Sequence, residues 1–318
     1  MRVLALVPGG MEDQLRFFPA INQIKHTFEQ AEIAVVADPS AKDIYRLSKI
    51  ISAVIPYSFQ SQNSPADWAN LLGIMRDREF EVVITLTQSW SMGLLLWLSG
   101  VPTRIGYANS ANSLFLTDTV PLKGGQPLSH QYQDLLRLIN VTASVPPLEV
   151  NVPQGDITAV DALRQAQGLT EGYVLVYPGT TPEGAAYGAE AWLTVLKDFQ
   201  KRQPNLPVVV AKTSQSAETV TAIERQMPGI AILEPENPGQ MAALIAAANL
   251  LVAVDSYPLY LAKALKVYAV GLFAREKPET VLPTSDEEDA RLVTIQSPDG
   301  TLGGISPDLI LKKIWNEA

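Results

Sequence analysis

Strand-like and helix-like patterns alternate along most of this chain. Short apolar runs, typical of strands covered on both faces, are separated by segments whose apolar residues recur every three or four positions, as in amphipathic helices. We predict strands at residues 3–7, 33–37, 82–86, 103–107, 173–177, 207–211, 231–233, 250–254 and 268–273, and helices at 15–28, 68–76, 190–201, 217–226 and 240–248. This alternation indicates an α/β protein with parallel sheets.

The segment at residues 249–273 carries the clearest signal. A buried strand ends at Asp255 and Ser256, a helical segment follows, and a second buried strand closes a βαβ unit. Open parallel sheets bind ligands at the carboxyl ends of their strands, where this acidic turn lies. We expect Ser256 to cap the helix, whose first backbone N–H groups then face an anion.

The chain of 318 residues is longer than one core usually organises, which predicts two domains. A stretch rich in Pro, Val and Ser at residues 140–154 interrupts the alternation and reads as a linker. We therefore predict Rossmann-like domains at 1–152 and 153–305 with a cleft between them. Residues 306–318 form a predicted terminal helix, which we expect to pack on the first domain.

Composition excludes several classes of site. The chain has no cysteine and two histidines, so thiolate chemistry is excluded and a metal cluster is not expected. A net charge of -9 argues against broad nucleic-acid binding. The most apolar window, residues 90–98, is too short for a membrane span and reads as a core helix. We expect a cytoplasmic protein, and we interpret the acidic run at 286–289 as a solvated loop.

Several motifs resemble the family nine glycosyltransferases, the bacterial heptosyltransferase group. The opening VLALVPGGMEDQLRFFPAINQIKHTF resembles the family's first strand, loop and helix, with Asp13 and Pro19 in place. ITLTQSWSMGLLLWLSGVPTRIGY resembles the fourth strand, apolar helix and Arg-Ile-Gly segment, and HQYQDLLRLI resembles the interdomain region. VYPGTT resembles the phosphate loop, and DSYPLYLAKAL resembles the Asp-Ser/Thr-Gly-Pro-x-His helix start.

The resemblance implies two facing Rossmann-like domains, the GT-B fold, and metal-independent inverting transfer of a sugar from a nucleoside diphosphate donor. The implied acceptor is a glycan or glycolipid of lipopolysaccharide type in the N-terminal domain, and contact with a membrane surface is compatible with it. No cofactor beyond the donor substrate is implied. Asp13 would be the general base, and the donor would lie near Thr180, Thr181, Glu218, Asp255, Ser256 and Tyr257.

The chain also departs from the family pattern at the implied donor site. Ala185 stands where the family has a lysine after the phosphate loop, and Tyr177 and Tyr260 stand in place of two histidines. Tyr257 replaces a glycine that lets the backbone approach the donor. Lys212, at the end of a predicted strand, is a candidate substitute for the missing cation.

Each candidate residue also has a structural interpretation. Asp13 and Asp255 are typical helix-capping acids, Thr180 and Thr181 are typical turn residues, and Glu218 is typical of a solvated helix face. Two alternatives to an active transferase therefore stay open. One is a family member that has lost transfer and works as a binding or scaffold protein. The other, a Rossmann-type oxidoreductase, is disfavoured because no G-x-G-x-x-G follows a predicted strand.

Overall fold

The computed structural model describes residues 1–59, 63–108, 111–282 and 291–315. Their contacts divide the chain into two compact units, Met1–Leu148 and Glu149–Ala318. Each unit contains a six-stranded parallel sheet flanked by helices, which confirms the predicted α/β class. The acidic run at 286–289 lies outside the described residues.

The first unit is built on a sheet with the strand order β3-β2-β1-β4-β5-β6. Its strands are β1 (Arg2–Val7), β2 (Glu32–Ala37), β3 (Ile51–Pro56), β4 (Val82–Thr85), β5 (Thr103–Ala108) and β6 (Asp118–Pro121). Its helices are α1 (Met11–Thr27), α2 (Pro65–Asp77), α3 (Trp90–Ser99) and α4 (Leu128–Arg137). The chain adds β2 and β3 on one side of β1 and then returns to add β4 on the other. The crevice between the ends of β1 and β4 is therefore the topological switch point of this sheet.

The second unit repeats this plan with the order β12-β11-β10-β7-β8-β9. Its strands are β7 (Val174–Tyr177), β8 (Val208–Ala211), β9 (Ala231–Leu233), β10 (Leu250–Val254), β11 (Ala269–Phe273) and β12 (Leu292–Gln296). Its helices are α5 (Gln154–Ala166), α6 (Ala189–Arg202), α7 (Ala217–Gln226), α8 (Pro238–Ala246), α9 (Tyr257–Ala264), α10 (Pro278–Val281) and α11 (Pro307–Trp315). The switch point here lies between the ends of β7 and β10.

One expectation about the helices is wrong. The helix at residues 90–98 does not lie wholly in the core, because Trp90 and Trp97 of α3 are 58% and 56% exposed. The terminal helix α11 packs on α6 of the second unit. The rings of Trp315 and Phe199 are 5.0 Å apart, and the Trp315 indole donates to Asp198 at 2.8 Å.

Candidate functional site

In the first unit, Asp13 lies in the first turn of α1, at the loop that follows β1. Its Oδ2 accepts a hydrogen bond from the Gly10 amide at 2.9 Å, and its Oδ1 pairs with Arg16 at 3.0 Å. The Asp13 side chain is 33% exposed, whereas Arg16 is 7% exposed. The carboxylate therefore caps the helix and neutralises a buried guanidinium, and it still reaches solvent beside the switch point of its sheet.

A cavity of about 690 Å³ opens at this switch point. Pro8 follows β1, and Leu86 to Ser89 follow β4, so the cavity begins where the two strands end. Tyr57 and Trp68 also line it. Sequence reasoning missed this site, because the strand order that makes β1 and β4 neighbours is not visible in the hydrophobic pattern.

In the second unit, the turn after β10 is buried. Asp255 and Ser256 are each 2% exposed, and the Tyr260 hydroxyl donates to Asp255 Oδ1 at 3.3 Å. Ser256 occupies the N-cap position of α9, but its hydroxyl donates to the Val254 carbonyl at 2.8 Å and caps no helix N–H. The predicted side-chain cap is therefore wrong, because the preceding strand offers this hydroxyl a closer acceptor.

Across the same switch point, the Tyr177 side chain runs from the end of β7 toward the loop after β8. Its hydroxyl donates to Gln215 at 3.1 Å and lies 3.2 Å from the Thr213 hydroxyl. Its ring meets the Tyr257 ring edge-on, with centroids 6.0 Å apart. A Cβ at Gly179 would lie 2.3 Å from the Tyr177 ring, so the loop approaches this ring too closely for any larger residue.

Residues 180–186 form a small hairpin after β7. The Thr181 amide donates to the Ala185 carbonyl at 2.8 Å, and the Ala185 amide donates to the Thr181 hydroxyl at 3.2 Å. Gly184 closes the turn with a φ of 84°, and its amide donates to the Thr181 carbonyl. Because Thr181 is only 4% exposed and its amide already donates inside the hairpin, the anion-binding role predicted for the two threonines rests mainly on Thr180. Ala185 is exposed, so a larger side chain at position 185 could be accommodated without a clash.

Lys212 and Glu218 lie farther along the same sheet edge. The Lys212 ammonium pairs with Glu234, which follows the edge strand β9, at 2.7 Å. The hydrogen bond that Lys212 donates to the Glu234 carboxylate raises the pKa of Lys212. Glu218 is exposed in the first turn of α7. The Lys212 ammonium therefore points to a carboxylate beside β9, on the side of β8 away from β7. It takes no part in the tyrosine contacts described at the switch point.

The candidate residues therefore separate into groups. Asp13 lies in the first unit, whereas Asp255, Tyr257 and Tyr260 gather with Tyr177 at the switch point of the second. The tyrosines were noted in the sequence as departures from a family motif. Their mutual packing was not predicted, since it depends on which strand ends become neighbours.

The model of glycosyltransferase family 9 (heptosyltransferase) matches residues 68–300 of this chain. The chain belongs to this family. The match covers most of the chain. It includes the hairpin at residues 180–186 and the tyrosines at positions 177, 257 and 260 of the second unit. It begins after Asp13, so the general-base role is not supported by the matched range.

Two curated proteins and two solved structures are similar to this chain at low sequence identity. The chain is 23% identical over 332 residues to photosynthetic NDH subunit of subcomplex B 1, chloroplastic, of Arabidopsis thaliana, covering 96% of this chain and 71% of that protein. It is 20% identical over 274 residues to lipopolysaccharide heptosyltransferase 3 of Escherichia coli, covering 82% and 80%.

Among solved structures, the family 9 glycosyltransferase of Veillonella parvula has a TM-score of 0.83 at 17% identity, covering 99% of this chain and 96% of that one. E. coli heptosyltransferase WaaC with ADP has a TM-score of 0.76 at 16% identity, covering all of both chains. These likenesses confirm the predicted GT-B fold. Among the described residues no helix is both long and apolar enough to cross a bilayer.

Proposed function

We propose that this family 9 protein transfers a sugar from a nucleoside diphosphate sugar to a glycan or glycolipid acceptor, with inversion and without a divalent metal. The family match over residues 68–300 carries the proposal. The arrangement of the second unit supports a donor site, because Asp255 and Tyr257 lie at a switch point, where open parallel sheets bind ligands.

In this proposal Asp13 is the general base. Its carboxylate takes the proton of the acceptor hydroxyl while the acceptor oxygen bonds to the anomeric carbon and the bond from that carbon to the diphosphate breaks. The Gly10 amide and Arg16 hold the carboxylate in one orientation. Orientation of this kind lowers the entropic cost of the proton transfer.

The diphosphate leaving group needs stabilisation that a lysine at position 185 would have supplied. In this chain we assign that task to the backbone N–H groups of the loop at Thr180, which follows β7 at the switch point. Neutral donors stabilise a developing charge less than an ammonium does. We therefore expect slow turnover compared with a family member that has the lysine.

The test is a transfer assay on the full chain. ADP-, GDP- and UDP-sugars are supplied with mixed oligosaccharide acceptors, with and without Mg²⁺, and nucleoside diphosphate release and product mass are measured. Acceptor-dependent release that is unaffected by chelation supports the proposal. Release that requires Mg²⁺ overturns the metal-independent mechanism, and absence of product with every donor overturns transfer as the function.

A second candidate function is that of a binding subunit without transfer activity. Two observations favour it: the donor site lacks the family lysine, and α3 presents the exposed indoles of Trp90 and Trp97 on a helix without a single charged residue. Exposed tryptophan surrounded by apolar residues is typical of protein interfaces. The Arabidopsis relative is named as a subunit of a photosynthetic complex.

This alternative predicts that the native protein migrates as part of a larger assembly on a native gel. Changing both Trp90 and Trp97 to Ser should release it as the free chain, while nucleotide affinity stays unchanged. A matched change of the buried Trp192 is unsuitable because it would affect the core. Ser substitution of the exposed Leu114 provides the control. Migration of the native protein as a free chain would contradict the alternative.

A further inference from the structure

The cavity at the switch point of the first unit has walls of two kinds. One wall carries the aromatic rings of Tyr57, Phe59 and Trp68. The Tyr57 and Phe59 rings meet edge-on with centroids 5.6 Å apart, which fixes both planes. Trp68 lies in the first turn of α2, whose start is held by reciprocal bonds between Ser64 and Asp67 at 3.2 and 2.9 Å. The aromatic wall is therefore preorganised.

The remaining lining includes a polar wall without charge. It consists of Thr87, Gln88, Ser89 and Ser91, on the loop between β4 and α3 and in the first turn of α3, together with Asn63. The neighbouring Leu86 and Met92 add apolar surface to the same lining. The Thr87 hydroxyl lies 2.9 Å from that of Thr85, and the hydroxyls of Ser89 and Ser91 are 2.7 Å apart. Each hydroxyl still has capacity for a further hydrogen bond.

Charge is absent from this lining. None of the described residues that line the cavity is Lys, Arg, Asp, Glu or His. The charge that acts on Tyr57 is negative. Burial raises the pKa of Tyr57, and the carboxylate of Asp67 raises it further. A phosphorylated or carboxylated ligand would therefore lose its hydration without gaining a cation, and it would be repelled by Asp67.

A purely apolar ligand fits less well, because it would displace water from this wall and leave the remaining hydrogen-bonding capacity of its hydroxyl groups unused. A sugar satisfies both walls. The C–H face of a pyranose ring packs on an aromatic side chain, while its hydroxyls exchange hydrogen bonds with Thr, Ser, Gln and Asn. The volume of about 690 Å³ lies in the range of small-ligand sites.

We infer that this cavity binds an uncharged saccharide of one to three residues, which is the acceptor of the transfer reaction. The assignment as acceptor rests on the proposed function, whereas the assignment of ligand class rests on the lining alone. Pro8 lines the cavity, and the Gly10 amide two residues later donates to the carboxylate of Asp13. The candidate base and the cavity therefore share one loop. This places the base close to the ligand, which a general base needs in order to take a proton from an acceptor hydroxyl.

The ligand class is tested by titrating the full chain with maltose, cellobiose, lactose and sucrose, and with glucose 6-phosphate and glucuronic acid as anionic counterparts. Affinity is measured by calorimetry and by tryptophan fluorescence. We expect at least one neutral disaccharide to bind, and both anions to bind at least tenfold more weakly. Trp68→Ala should weaken that binding about tenfold, the scale of one lost aromatic contact.

Trp97→Ala is the matched control, since Trp97 lies in the same unit but does not line the cavity. Trp68→Phe keeps a ring and should restore most of the affinity, which separates stacking from a folding defect. Tighter binding of an anion than of every neutral sugar overturns the inference. So does a loss of saccharide affinity in Trp97→Ala that equals the loss in Trp68→Ala.

Failure of transfer and failure of this inference are distinguishable. Saccharide binding that depends on Trp68, in a protein without transferase activity, keeps the ligand class and removes the acceptor role. Transfer to a phosphorylated acceptor, unaffected by Trp68→Ala, overturns the inference and keeps the proposed function. Absence of saccharide binding at millimolar concentration overturns the ligand class outright.

Discussion

Replacing Asp13 by Asn separates the structural role of this carboxylate from its proposed catalytic role. Asn keeps a side-chain oxygen that can accept the Gly10 amide, but it removes the charge that pairs with Arg16 at 3.0 Å. The guanidinium is 7% exposed and the carboxylate 33% exposed. Loss of one partner of a buried pair costs about 3–5 kcal/mol, and partial exposure of the acid reduces this to about 1–2 kcal/mol.

That loss leaves the protein folded, because domains of this kind have unfolding free energies of about 5–15 kcal/mol. Transfer should instead fall by about two to four orders of magnitude, the contribution of a positioned general base. Urea unfolding followed by circular dichroism measures the first effect, and nucleoside diphosphate release at saturating donor measures the second. Asp13→Ala, which also removes the cap, should cost about a further 1 kcal/mol of stability with the same loss of turnover.

The reasoning fails if the Asn variant turns over as fast as the parent protein, because a general base cannot be replaced by an amide. The structural part of the reasoning fails if the free energy of unfolding of the Asn variant equals that of the parent protein. Nucleotide affinity serves as the control. It should stay the same in both variants, since Asp13 lies outside the second unit.

Three further predictions concern the second unit and acid stability. Asp255→Ala removes the acceptor of the Tyr260 hydroxyl and should weaken ADP binding about fivefold to tenfold by calorimetry, whereas unchanged affinity would exclude a donor-site role. Ala185→Lys should tighten ADP binding about tenfold at low salt and less at high salt. If Lys212 already supplies the cation, Ala185→Lys does little and Lys212→Ala weakens binding instead. The hydrogen bond from Lys123 lowers the pKa of Asp134 in the folded state. Its contribution to stability is therefore full above the unfolded-state pKa of about 4 and is lost as the pH falls toward the folded-state value. Asp134→Asn should flatten the dependence of the urea midpoint on pH below about 4, and an unchanged slope would contradict this.

The central strands could be predicted from the sequence because both faces of each are covered, which produces continuous apolar runs such as residues 250–254. The strands that were missed are β3, β6 and β12, and all three lie at sheet edges. Only one residue in each of β3 and β12 is fully buried, and none in β6. Edge strands need no continuous apolar run, so their sequences resemble loops.

Candidate residues of the second unit could be named from the sequence, but their contacts could not be predicted. Tyr177 and Tyr257 were visible as departures from a motif. Their edge-on packing depends on the pairing of β7 with β10, whose partner residues, such as Tyr177 and Ala253, are 76 positions apart in sequence. The same holds for the cavity of the first unit, where Trp68 from α2 faces the loop after β4. Long-range strand order places these side chains together, and a local pattern carries no information about it.

Calorimetric titration of the intact protein with ADP, GDP, UDP and their sugar conjugates, in the presence and absence of Mg²⁺, tests the central claim most directly. A family 9 transferase should bind one nucleotide class at micromolar to millimolar concentration, equally well after chelation, and Asp255→Ala should weaken that binding. No heat of binding for any nucleotide in this panel, from a protein whose folded state is verified by circular dichroism, would contradict the account and leave the binding-subunit function in its place.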